Sequence, residues 1–126
     1  MHIGYDLMPV QKEEITHIQL VRYAGASGDF NPIHTVVPFA ENSGLGGVIA
    51  HGMMIMGFIG HAITSWFEPE KLTTFSVRFR AMTIPGEKIT VQGSVVDETK
   101  DKWVCEAVAI NDQKEVKVSA TFEIRK

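Results

Sequence analysis

The chain has 126 residues, 44% hydrophobic and 21% charged, which fits one folded domain over residues 1–126 and excludes disordered, collagen-like and mucin-like classes. Twelve basic and fifteen acidic side chains leave a net charge of −3, with no electrostatic footprint for nucleic acid or an anionic membrane. The single cysteine, Cys105, excludes an internal disulfide and any CxxC zinc or redox site, and no basic, cleavable leader opens the chain, so a cytoplasmic protein is expected.

Leu7 to Val10 reads as a short edge strand broken by Pro9. Thr16 has the position of a helix N-cap, with Gln19 as its capping-box partner and Ile15 and Leu20 spaced as a hydrophobic staple. That helix carries Leu20, Val21 and Ala24 inward and ends near Gly25 or Gly28. A loop punctuated by Gly and Pro follows, with a helical turn around Phe39 to Asn42. Ile49 to Phe67 is then a largely apolar stretch without a charge, long enough to raise the question of a membrane span. Gly52, Gly57, Gly60, His51, His61, Thr64 and Ser65 dilute it, and its nearest charges, Glu41 and Glu68, are acidic rather than Lys or Arg anchors. We read it as a buried helix that starts near His51, runs about 28 Å and stops before Pro69.

Everything after Pro69 has period two. Phe75, Val77, Phe79 and Ala81 share one face; so do Ile89, Val91, Gly93 and Val95; then Trp103, Cys105, Ala107 and Ala109; then Val116, Val118, Ala120, Phe122 and Ile124. Pro85-Gly86 and two polar stretches, Asp97–Lys102 and Asn111–Lys114, mark the turns. Four successive strands with short turns predict an antiparallel meander whose apolar face needs the long helix as its cover. The fold class is therefore α+β, one sheet wrapped around one buried helix. The final strand, Glu115 to Ile124, and the broken first strand leave a sheet edge open, which predicts at least a dimer.

Eight of the eleven glycines fall between residues 25 and 60, where tight turns and close backbone approach are expected. The same segment holds Asp29, Asn31, His34 and His51. Asp29 and His34 lie five residues apart across a turn shaped by Gly28 and Pro32, so a carboxylate and an imidazole can converge from one loop. Pro32 biases Asn31 toward extended geometry, and Asn31 can bond its own loop backbone. A carboxylate and a histidine together can hold one water and move its proton. The same residues also suit an Asx turn beside a surface histidine, and spacing alone leaves both readings open.

The string from Ser27 to His34, SGDFNPIH, resembles the signature of the MaoC-like dehydratases, which include the (R)-specific enoyl-CoA hydratases. A second block, Ile49-Ala50-His51-Gly52-Met53, resembles the start of the central helix in that hot-dog-fold family. The resemblance spans roughly residue 10 to the end. It implies a hot-dog fold and reversible hydration of a trans-2-enoyl thioester to an (R)-3-hydroxyacyl thioester. By it, Asp29 and His34 match the catalytic pair, Asn31 the residue supporting the loop, and Gly52 the helix-start glycine whose N–H faces the thioester oxygen. That last role has a physical basis, because the first N–H groups of a helix lack partners and sit at the positive end of its dipole. A donor to a developing oxyanion is worth about 3–4 kcal/mol. The chemistry requires neither metal nor cofactor. Many members carry Asp at the position of Val36, and several hydratases carry Ser at that of Gly60. Gly60 and the preceding MMIMG resemble bacterial fatty-acid-elongation dehydratase subunits, so the acyl carrier stays open between CoA and acyl carrier protein. The family also implies an acyl tunnel near a dimer interface, with a homodimer expected ahead of a heterodimer.

The remaining motifs read as structural. His51 caps the buried helix, and His61 is a core histidine. His34, His51 and His61 lack a compact ligand spacing, so no metal is expected. Met53, Met54 and Met56 are core residues, with Met53 and Met56 suited to lining an acyl pocket. Cys105 is a buried, inert thiol, Arg78 and Arg80 are solvated, and Trp66 and Trp103 are packing residues. Two other readings compete with a hydratase. One is an acyl-thioester hydrolase on the same fold, and the other a structural subunit of a heterodimeric dehydratase. The intact Asp29–Asn31–His34 motif weighs against the second.

Overall fold

The computed structural model describes residues 1–126 and has helices α1 (His17–Ser27), α2 (Val37–Asn42) and α3 (Gly52–Trp66) and strands β1 (Asp6–Gln11), β2 (Leu72–Phe79), β3 (Thr90–Glu98), β4 (Lys102–Ile110) and β5 (Val116–Arg125). Thr16 caps α1 by accepting the Gln19 N–H, and Ile15 and Leu20 are both buried, as the staple requires. Val21 departs from the expectation, because it is exposed while Leu20 and Ala24 carry the buried face. Gly28 ends the helix at φ 76°, a left-handed value that glycine adopts without steric cost.

The five strands form one antiparallel sheet in the order β1-β3-β4-β5-β2. Strands β3, β4 and β5 make the expected meander, but β2 does not enter it beside β3. It pairs with β5 instead, with Phe75 opposite Phe122 and Val77 opposite Ala120. Period two assigns faces and not neighbours. Residues 80–89 are moreover longer than the usual hairpin loop, so Pro85-Gly86 turns within a crossover rather than a hairpin. The open edges are accordingly β1 and β2; the final strand is interior. In β1 the register shifts between Leu7 and Val10, around Pro9.

Helix α3 lies against the sheet's inner face and buries Met54, Ile55, Ile59, Ala62 and Ile63 over Val91, Val95, Cys105 and Phe122. Each fully buried Ile contributes about 1.5–3 kcal/mol, which makes the sheet the partner of this apolar face. The helix is shorter than the sequence predicts, 15 residues starting at Gly52, and its burial is one-sided. Met53, Gly57, His61, Thr64 and Ser65 are exposed. No helix is long and apolar enough to cross a membrane. Trp66 closes the far end: its indole N–H donates to the Met8 carbonyl at 2.7 Å, and its ring lies so close to Gly93 that a Cβ there would meet it at 2.8 Å. One antiparallel sheet wrapped around a central helix is the hot-dog fold.

Candidate active site

The loop after Gly28 is built from its own side chains. Ser27 Oγ accepts the Asp29 N–H, Asp29 Oδ1 accepts the Asn31 N–H, and Asn31 Oδ1 accepts the Ile33 N–H. Asn31 thereby caps the single 3₁₀ turn Pro32–His34, with Pro32 supplying the φ its first position needs. The Ile49 N–H donates to the Ile33 carbonyl, tying this loop to the segment that leads into α3.

His34 is buried and donates from Nδ1 to the Ile49 carbonyl at 2.7 Å. A carbonyl can only accept, so this bond assigns the proton to Nδ1 and leaves Nε2 as the free basic nitrogen of the neutral ring. Nε2 stands 3.9 Å from Asp29 Oδ2, whose side chain is 53% exposed. That separation is too long for a direct hydrogen bond. One water about 2.8 Å from both atoms would subtend about 90° at its oxygen, an angle within reach of hydrogen bonding.

His51 completes the group. Its ring stacks on His34 with centroids 3.8 Å apart, and its Nε2 donates to the Asp29 carbonyl at 3.1 Å. The sequence assigns His51 to capping α3; it occupies the cap position but makes no side-chain cap bond, and serves as a strut beneath the Asp29 loop. The only signal for this was its place directly before Gly52. His61, expected in the core, is exposed and meets Lys12.

Asp29, His34 and His51 each offer one ligand atom within 4.8 Å of one another, a convergence that linear spacing does not reveal. The ring geometry argues against a shared ion. Imidazole lone pairs lie in the ring plane, and these planes are 21° from parallel in a stack. An ion about 2.0–2.1 Å from a nitrogen of each ring would stand well out of both planes.

A cavity of about 320 Å³ runs from His34 along the start of α3, with Ile49, Ala50, Gly52 and Ile55 on one side and Phe79 to Thr83 on the other. Gly52 heads the helix, and its N–H is among the amides with no intrahelical acceptor. The Phe79 ring packs over it, and a Cβ at Gly52 would meet that ring at 2.9 Å. Phe79 is itself exposed, unlike its predicted inward placement. Arg80, predicted to be solvated, is exposed but also contributes to the cavity wall. Met53 and Met56 do not line this cavity: Met53 is exposed and Met56 half-buried on the outer side of α3. Ile49 and Ile55 instead contribute to its apolar lining. In β4, burial pushes the Cys105 thiol up to about 11, which keeps it un-ionised.

Residues 2–118 match the family described as MaoC like domain. The chain is 38% identical over 74 residues to a fatty acid synthase subunit beta of Aspergillus oryzae, covering 56% of this chain and 4% of that protein. It is 30% identical over 84 residues to the mitochondrial 3-hydroxyacyl-[acyl-carrier-protein] dehydratase of Arabidopsis thaliana, covering 65% of this chain and 51% of that one. With peroxisomal enoyl-CoA hydratase 2 of the same plant it shares 35% over 69 residues, 52% of this chain and 22% of the other. The chain thus spans about half or less of each of these relatives. Among solved structures, a MaoC-like dehydratase superposes with a TM-score of 0.91 at 30% identity, over 99% of this chain and 40% of the other. The ChsH1–ChsH2 complex of Mycobacterium tuberculosis gives 0.87 at 19% identity over 98% and 97%. The R-hydratase PhaJ1 of Pseudomonas aeruginosa gives 0.86 at 23% over 98% and 81%. On the family match over nearly its whole length, the chain belongs to the MaoC-like domain family, whose members include dehydratases and hydratases of fatty-acid metabolism.

Proposed function

We propose that these 126 residues act as one MaoC-like domain that adds water reversibly across the C2–C3 double bond of a trans-2-enoyl thioester, giving an (R)-3-hydroxyacyl thioester. The observation that carries this reading is the 3.9 Å separation of His34 Nε2 and Asp29 Oδ2, with His34 itself in the lining of a largely apolar cavity. A water held between them loses a proton to His34 Nε2 as its oxygen bonds to C3, and a proton returns to C2, so the enzyme ends unchanged. The thioester oxygen gains charge as C3 is attacked, and its donor in this reading is the Gly52 N–H at the positive end of α3. The acyl chain lies along Ile49 and Ile55. The thiol carrier is CoA or acyl carrier protein, and the names of the two plant relatives include one of each.

Assembly into at least a dimer is part of the proposal, with two copies of this chain ahead of a heterodimer. Strand β2 is an open edge, and Phe79, Met53, Met82 and Ile84 are exposed apolar side chains near or beside the cavity. A cytoplasmic setting suits the buried, unpaired Cys105. The test is loss of the enoyl absorbance of crotonyl-CoA on adding the purified protein. A stable enoyl absorbance with CoA and with carrier-protein substrates overturns the reading, and release of free thiol replaces it with thioester hydrolysis.

A further inference from the structure

Strand β5 carries a buried lysine that the site does not use. In its pairing with β4, Ala109 stands opposite Val118 and Ile110 opposite Val116, so Lys117 is the extra residue of a β-bulge. Alternation with Val116 and Val118 would send it to solvent. Instead it is 3% exposed, because the bulge turns it inward.

Both ends of Lys117 grip one neighbouring segment. Its carbonyl accepts the N–H groups of Arg80 at 2.8 Å and Ala81 at 3.2 Å. Its ammonium donates to the Met82 carbonyl at 2.8 Å and pairs with Glu115 and, at 3.1 Å, with Glu87. Glu87 is held in turn by the Asn111 amide at 2.7 Å and the Ile84 N–H at 2.9 Å. The next carbonyl, that of Thr83, accepts the Ala50 N–H at 2.7 Å, two residues before the Gly52 helix start. Residues 80 to 83 form one wall of the cavity that His34 and Gly52 enter, while Lys117, Glu87 and Glu115 lie outside its lining.

Stability alone does not explain the arrangement, since an apolar replacement of a buried ion pair is often neutral or stabilising. We propose that Lys117 is a positioning residue that clamps the Arg80–Thr83 wall of the substrate cavity and, through the Thr83–Ala50 bond, the approach to α3. The inference rests on the hydratase reading for its kinetic consequence but not for its structural one.

The experiment compares wild type, Lys117→Met and Lys117→Met/Glu87→Gln, the double variant removing both charges so that no ion is left buried without its partner. Amide exchange at Ala50, Arg80 and Ala81 is measured in all three, with KM and kcat for crotonyl-CoA at a temperature where each is folded. The clamp requires at least tenfold faster exchange at Ala50 in the variants, with the β3–β4 amides unchanged. It also requires a KM roughly tenfold higher with kcat within about twofold, the pattern of a displaced binding wall beside an intact Asp29–His34 pair. Unchanged Ala50 exchange in the double variant overturns the clamp, as does an unchanged KM. Should wild type be inactive on every enoyl thioester, the hydratase reading falls while the exchange result still decides the clamp.

Discussion

The imidazoles of His34 and His51 stack 3.8 Å apart, and the second of them holds the Asp29 carbonyl. Two residues 17 positions apart in the chain thereby set the height of the Asp29 loop against the His34 ring. His51→Phe keeps a ring in the stack and loses only the bond to Asp29, a net cost of about 0.5–1.5 kcal/mol. We expect it to lower kcat/KM roughly tenfold, with the unfolding midpoint lowered only by that small amount. His51→Ala opens a cavity as well and costs about 2–4 kcal/mol. Urea unfolding run beside the kinetics separates the two effects, and an unaltered kcat/KM in His51→Phe would remove the strut.

Asp29→Asn retains an oxygen able to accept the Asn31 N–H, so the loop survives while the carboxylate does not. His34→Ala removes Nε2 together with the bond to Ile49. Each change is expected to lower kcat by about 10²–10⁴. On the proposal that both groups act on one water, the double variant should be little worse than either single one. Wild-type turnover in either single variant, measured with crotonyl-CoA, would exclude the pair.

A side chain at position 52 meets the Phe79 ring before anything else. Phe79 is 55% exposed and has room to swing, so Gly52→Val should leave the fold standing. The displaced ring and the new methyls crowd the helix-start amide, and kcat/KM is expected to fall about 10²-fold or more. Circular dichroism confirms the fold, and unchanged kinetics would take Gly52 out of the site.

Burial raises the Glu87 carboxyl, but hydrogen bonds from Asn111 and Ile84 and the Lys117 ammonium outweigh it, and the net shift is downward from 4.5. Burial likewise lowers Lys117, and Glu115 and Glu87 outweigh it, for a net shift upward from 10.5. A carboxyl depressed in the folded state stabilises it above its unfolded value, and that contribution fades as pH falls below 4.5. For Lys117 the contribution is complete below 10.5 and is lost as pH rises through the higher folded value. Wild type should therefore exceed Glu87→Gln in unfolding free energy by a constant margin near neutrality, a margin that shrinks below pH 4.5. A margin that stays level down to pH 3 in urea titrations would show that Glu87 ionisation does not hold the cluster.

Sequence alone determined the features whose causes lie within a few residues. Thr16 capping, a glycine stop at Gly25 or Gly28, the bonding of Asn31 to its own loop backbone and the inward faces of β3, β4 and β5 all follow from side chains bonding or alternating locally. The two motif blocks were legible through their resemblance to the MaoC-like family, because spacing alone left SGDFNPIH open between a site and an Asx turn. Tertiary structure decided what depends on partners distant in the chain. Period two could not say that β2 pairs with β5, because either neighbour offers the same alternation. It could not foresee that a bulge turns Lys117 inward, since a bulge breaks the alternation on which facing is inferred. Nor could spacing bring His51 onto His34, or the Phe79 ring over Gly52. Those contacts exist only once the sheet has closed around α3 and carried residues 29, 51 and 79 to one end of it.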